Sequence, residues 1–227
     1  MNMQVKHHPQ ERICSQFYEV INFLKNHGAK GHNKNWHWGR WEWLLSHSYL
    51  DEATLPSIGI FLDGDQIVGL CTHDMGKPAY ILLNPQYNHL KPRMVDYAFD
   101  NLSQKCSSYL FVDEEDEELI SIIQSKGYVL TEKSETTLVL DCQEKLTYNL
   151  DGKFSITDYH KSKDIDKYVA VIHKGFGNEG EPAKGLTEAD FSEQPHQNPS
   201  LTVFIIAPSG EYVAHCGILY TADTDTC

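Results

Sequence analysis

No run of about 18 consecutive apolar residues occurs in the chain, so none of it is expected to span a membrane. The N-terminal stretch MNMQVKHHPQERIC, Met1–Cys14, lacks the apolar core that a secretory signal needs. Cysteine is sparse and irregular: Cys14, Cys71, Cys106, Cys142, Cys216 and Cys227 form no C-x-x-C pair. That argues against a disulfide framework or a zinc site and for reduced thiols in a cytoplasmic protein. Positive charge is short as well, with 19 Lys and Arg against 32 Asp and Glu and a net charge of −13. A nucleic-acid partner normally requires the opposite balance. G-x-S-x-G, Walker A and G-x-G-x-x-G sequences are missing, which removes the commonest hydrolase, nucleotide and dinucleotide signatures. What is left, at 41% hydrophobic and 22% charged residues over 227 positions, is a globular chain long enough to bury a full core.

Periodicity then organises the chain. Cys14–Asn26 places Phe17, Val20, Ile21 and Leu24 at helical spacing and predicts a helix stopped by His27-Gly28. All four tryptophans fall in NWHWGRWEWLL, Asn35–Leu45. Trp38, Trp41 and Leu45 step by three and four and are expected in the core, whereas Trp36 and Trp43 fall on a neighbouring stripe and are expected at a rim. Strand-like runs at Ile58–Leu62 and Gln66–His73 flank Asp63-Gly64-Asp65, a strong hairpin signal. A further run, Ala79–Leu83, ends at Asn84-Pro85. A helix over Leu90–Gln104 tolerates Pro92 in its first turn. It is followed by a strand over Ser107–Asp113 and a helix over Glu114–Tyr128, with acidic residues at its start and Gly127 past its last turn. Strands at Tyr128–Lys133 and Thr136–Cys142 are expected to close this unit.

After a polar connection the pattern restarts with a strand at Phe154–Tyr159, a helix at Ile165–Phe176 and a hairpin over Leu201–Tyr220. The segment DQIVGLC, Asp65–Cys71, aligns with GEYVAHC, Gly210–Cys216, setting Val68 over Val213 and Cys71 over Cys216. The preceding strands IGIF and VFII align too. Two copies of one domain are therefore expected, with a chance match of two hairpins as the alternative.

The order strand, helices, hairpin, strand, helix, strand, helix ending in Lys126-Gly127-Tyr128 resembles the GNAT superfamily of N-acetyltransferases. The stretch from Trp38 to Asp74 is further similar to the first domain of tandem members that carry two such domains. The resemblance implies an α/β class with an α+β mixed sheet, the GNAT-like acyl-CoA N-acyltransferase fold. One nearly complete copy would span residues 10–142, a linker residues 143–153, and the first half of a second copy residues 154–227, stopping before its cofactor-binding strand. On that likeness the chain is either a piece of a longer gene product or a short form.

The same resemblance implies acetyl transfer from acetyl-CoA, as a co-substrate, to a small amine acceptor, without a metal. The family's thioester lies where the fourth strand splays from the fifth, and a glycine-containing loop with pattern Q/R-x-x-G-x-G/A turns backbone amides toward the pyrophosphate. The matching positions here are Leu82, Leu83, Asn84, Asn88, His89, Leu90 and Lys91, in a segment with no glycine. Lys91 would add charge, and Tyr87, His89 and Leu90 add bulk. A tyrosine commonly protonates the departing thiolate in this family; its position is Ile123. The first copy thus departs from both hallmarks, and weak or absent turnover is expected. Trp36 and Trp43 would border the acceptor side, where aromatic faces suit a cationic amine. The rival reading is a non-catalytic binding or scaffold module on the same fold. An open sheet edge near Ile218 offers a route to a homo-oligomer.

Other residues read more plainly. Cys216 beside His215 is expected as a small buried hydrophobe rather than a nucleophile. His27 and His32 have no further ligand at metal spacing. Asp113–Glu118 reads as a solvated helix start. Tyr109, Tyr128 and Tyr220 are acids only in principle.

Overall fold

The computed structural model describes residues 3–27, 36–47, 50–76, 78–103, 109–138, 147–186 and 195–222. The chain divides into two units, Met1–Leu138 and Val139–Cys227. Each is taken by itself.

The first unit is built on a five-stranded sheet of order β1-β2-β3-β4-β5, with β1 at Met3–His7, β2 at Gly59–Asp63, β3 at Gln66–His73, β4 at Ala79–Leu83 and β5 at Leu110–Phe111. The first four strands run antiparallel to their neighbours, and β5 pairs parallel to β4. The β2–β3 connection is the tight turn expected, and Gly64 adopts φ +60 at its first position, where a II′ turn calls for glycine. Both faces of β3 are buried, which accounts for its unbroken apolar run.

Helices cover both faces. Helix α1, Ser15–His27, buries Phe17, Val20, Ile21, Phe23 and Leu24 and ends with Lys25 and His27, cations at its negative end. It contacts β3 and helix α2, Trp38–Ser46. Trp41 ties the two helices by donating its indole N–H to the Phe17 carbonyl at 3.3 Å. On the other face Phe61, Val68, Cys71, Ala79 and Ile81 pack with Leu90, Met94, Val95, Leu119 and Ile123. These come from α3, Lys91–Tyr97, and α4, Glu117–Ser125, and from the turn leading into α3.

Several elements differ from expectation. The helix expected over Leu90–Gln104 is two pieces, α3 and a π-turn at Ala98–Ser103, preceded by a 3-10 turn at Pro85–Leu90; Gln104 lies outside the described residues. Helix α4 starts at Glu117 because Asp116 caps it, accepting from Leu119 N–H. The strand expected at Tyr128–Lys133 does not form; Val129 and Leu130 are 81% and 88% exposed, and no neighbouring strand pairs with them among the described residues. Residues 136–138 are likewise not strand, and the rest of that expected strand, like residues 107–108, Gly28, Asn35, Tyr49, Cys106, Cys142 and Cys227, lies outside the described residues.

The second unit carries β6, Ser155–Asp158, α5, Ile165–Gly175, β7, Gln197–Ile206, and β8, Tyr212–Leu219, in an antiparallel sheet of order β6-β7-β8. One face of the sheet holds Phe204 and Tyr212, with Tyr159 just past β6, against Tyr168 and Val171 of α5. The register pairs His215 with Phe204 and Cys216 with Val203. His215 therefore points to the α5 side, 4.9 Å from the Tyr168 ring, and Cys216 to the uncovered side. Cys216 is exposed, which corrects the buried role expected for it. The alignment with Cys71 misleads here because β3 is covered on both faces and β8 on one.

Among the described residues no helix is long and apolar enough to cross a membrane, and no group of three or more His, Cys, Asp or Glu side chains is placed to hold a metal.

Candidate functional site

The β4–β5 ladder consists of two residue pairs, Ala79 with Leu110 and Tyr80 with Phe111. Ile81, Leu82 and Leu83 pair on the other side with Cys71, Leu70 and Gly69 of β3. The parallel strands thus part after two residue pairs, and the chain after Phe111 turns away toward α4. The ladder with β5 is therefore shorter than β4, which runs on to Leu83.

Just past the end of β4, Asn84 is buried and accepts from Gln86 N–H through Oδ1 at 3.1 Å, starting the 3-10 turn. Leu82 is buried in the core and Leu83 packs at its margin. Asn88 is half-buried and His89 exposed, while Leu90 is buried. The Lys91 N–H donates to the Asn88 carbonyl, so that amide is already engaged. Lys91 itself is 4% exposed, and its Nζ donates to Asp116 Oδ1 at 2.7 Å and Glu118 Oε2 at 3.0 Å. Burial opposes the Lys91 charge, but the two carboxylates outweigh it and hold its pKa above the ordinary value. The charge expected at the loop is therefore directed into the start of α4. Ile123 is buried in the core and offers no proton.

A second constellation lies at the other end of β4, around Arg40 of α2. His37 precedes α2 and caps it, Nδ1 accepting from Gly39 N–H at 3.1 Å. Arg40 donates from Nη2 to Asp74 Oδ2 at 2.6 Å and to the Tyr80 hydroxyl at 2.8 Å. It meets Glu135 with both terminal nitrogens, Nη1 to Oε2 at 3.0 Å and Nη2 to Oε1 at 3.2 Å. The guanidinium carbon sits 4.9 Å from the Trp36 ring centre and 4.8 Å from that of Tyr80. Tyr80 in turn donates to Glu135 Oε1 at 3.0 Å.

Trp36, expected at a rim, is fully buried, because its ring packs on Tyr80 at 4.5 Å and under Arg40. Trp43 is 37% exposed. It lines, with His37, Arg40, Asp74 and Glu135, a cavity of about 570 Å³ whose remaining wall is Thr136 and Thr137. That is the size of a small-molecule site.

The electrostatics follow from these partners. Burial works against the Arg40 charge, but its hydrogen bonds to the Glu135 and Asp74 carboxylates raise its pKa above the usual arginine value. Burial and Glu135 push the Tyr80 hydroxyl well up, against the pull of Arg40, so it stays protonated. His37 is lowered by burial and then by Arg40, which keeps its imidazole neutral and able to cap.

Arg40, Asp74, Tyr80 and Glu135 were not legible as a group. Trp36 and Arg40 are four residues apart, but Trp36 precedes the helix, so the only local signal was a cation close in sequence to an aromatic. Asp74 and Glu135 carry no such signal, being joined only by the fold. Comparison with protein-family models, curated proteins and solved structures finds no match to this chain.

Proposed function

We propose that the first unit is a GNAT-like acyl-CoA N-acyltransferase domain that takes acetyl-CoA where β4 leaves β5 and an amine acceptor in the Trp43–Arg40 cavity. The observation that carries this reading is the parting of β4 from β5 after two residue pairs. Past that short ladder the coenzyme is proposed to lie along Leu82 and Leu83, the last residues of β4. Tyr80, on β4 beside the acceptor cavity, and Asn84, in the turn just past the strand, lie four residues apart, about 13 Å at the usual strand rise. The proposed coenzyme path thus runs from the turn to the cavity.

The sheet order supports the same reading, with four antiparallel strands and then a parallel one between helical layers. The duplication is supported by connectivity. In each unit a strand, helix and hairpin give an antiparallel sheet in chain order, and the helix contacts the third strand. The second unit is accordingly proposed as the opening half of the same fold.

A non-catalytic binding module is the second reading, favoured by the commitment of Lys91 to Asp116 and Glu118 and by Ile123 in the core. Thermal unfolding with acetyl-CoA separates binding from its absence. A ligand at a hundredfold its Kd stabilises the fold by about 2.7 kcal/mol, a shift of several degrees. Stabilisation together with release of free CoA thiol on adding small amines supports transfer. Stabilisation without release leaves a binding module, and no shift at millimolar acetyl-CoA removes the cofactor.

A further inference from the structure

We infer that Arg40 is the receptor for a carboxylate group of a small ligand, and that Glu135 holds the ligand's place. Arg40 is fixed by groups other than Glu135: the α2 backbone, Asp74 at 2.6 Å, the Tyr80 hydroxyl at 2.8 Å and the rings of Trp36 and Tyr80. Its stem and plane are therefore set before Glu135 arrives. What Glu135 meets is the two-nitrogen edge of the guanidinium, in the parallel two-bond geometry by which arginine recognises carboxylates.

Glu135 differs in kind from Asp74. Asp74 follows β3 directly and its N–H is tied to the Pro78 carbonyl at 2.8 Å, so it belongs to the sheet. Glu135 lies in residues 128–138, which carry no helix or strand and whose Val129, Leu130 and Leu138 are each more than four-fifths exposed. The Glu135 carboxylate meets Arg40 and Tyr80 from an irregular segment, so its exchange for a ligand carboxylate breaks no strand ladder. The cavity begins where Glu135 sits, bounded by Thr136 and Thr137 of the same strap and by Trp43 and His37 of the α2 region.

A ligand carboxylate replacing Glu135 keeps the Arg40 charge balanced, and the neutral His37 adds no competing cation. It also frees the Glu135 carboxylate beside the cavity for a ligand ammonium. The ligand class is then a small molecule bearing both a carboxylate and an amine. As an acceptor class this rests on the transfer reading; as a binding site it does not.

The test is run without acyl-CoA, so the two readings fail separately. Tryptophan fluorescence reports the site, because Trp36 lies against Arg40 and Trp43 lines the cavity. Butyrate and butylamine are titrated at constant ionic strength into the full chain and into Glu135→Gln and Arg40→Lys. Butyrate is expected to give a saturable change in the parent chain. Removing an internal competitor worth a partly exposed ion pair makes butyrate bind about fivefold more tightly in Glu135→Gln. Arg40→Lys keeps the charge but loses the two-nitrogen edge, and the saturable change disappears. Unchanged or weaker butyrate binding in Glu135→Gln, or saturation by butylamine and not butyrate, overturns the inference. Saturation retained in Arg40→Lys overturns it too, since the edge would then be irrelevant.

Discussion

Gly59 is a place where one atom decides the packing. A β-carbon there would lie 2.5 Å from Cζ of Tyr97, whose hydroxyl is anchored on the Ser57 carbonyl at 3.0 Å and cannot retreat freely. Gly59→Ala is expected to lower stability by about 2 kcal/mol through overpacking, read as a lower denaturant midpoint at unchanged slope. A neutral result would mean that the Tyr97 ring is free to move. The hairpin pattern showed that residues 58–62 form a strand, yet not that residue 59 must lack a side chain. That requirement comes from α3, thirty-odd residues on, and no local pattern records it.

Histidines supply the pH dependence at the same scale. His8, His37, His47 and His73 all sit below the ordinary value of 6.5, burial being the first cause in each. His73 is fully buried and Nδ1 accepts from Gly76 N–H at 3.0 Å, a bond that a protonated ring cannot keep. The unfolded chain thus binds protons at higher pH than the folded one. The stability is present above about pH 6.5 and is lost as pH falls through the folded pKa values. Denaturant midpoints at about pH 7.5 and about pH 5.5 should differ in that direction. His37→Asn keeps a capping side chain and removes one titrating group, so its midpoint should fall less. Greater stability on the acid side would contradict the burial account.

Elements were legible where a periodic apolar pattern met a neighbour able to cover it. Helix α1 and the β2–β3 hairpin are such cases, and their burial matches their patterns. Strand β1 went unread because MQVKH alternates over only two apolar residues, Met3 and Val5, too short a pattern to stand out; it is an edge strand held by its ladder with β2. Conversely, YVLTEK has the residues of a strand, and Val129 and Leu130 remain exposed because strand propensity counts only beside a partner. Lys91 shows how a site residue was misjudged. Its place at a helix start was readable, but Asp116 and Glu118 come from the next helix. Lys91→Met should leave the Asp116 carboxylate buried and unpaired and cost about 3 kcal/mol. Adding Asp116→Asn, which still caps α4, should recover part of that loss in a double-mutant cycle. Additive losses would mean that the two side chains do not interact.

For the whole molecule, composition spoke first and least. The charge of −13 argues against a polyanionic partner, yet the site in the first unit turns on a single arginine held between two rings and two carboxylates. The proposed duplication was readable as two hairpins. Its stronger support, the matching strand–helix–hairpin order, needed β1, which the sequence did not disclose.

The central claim is that a coenzyme lies where β4 leaves β5. Amide hydrogen exchange with and without acetyl-CoA tests it at the segments concerned. Binding there predicts slower exchange over residues 81–91 and 110–113, with β1 and the second unit unchanged. Acetyl-CoA that protects neither segment, or protects a different part of the chain, would contradict it.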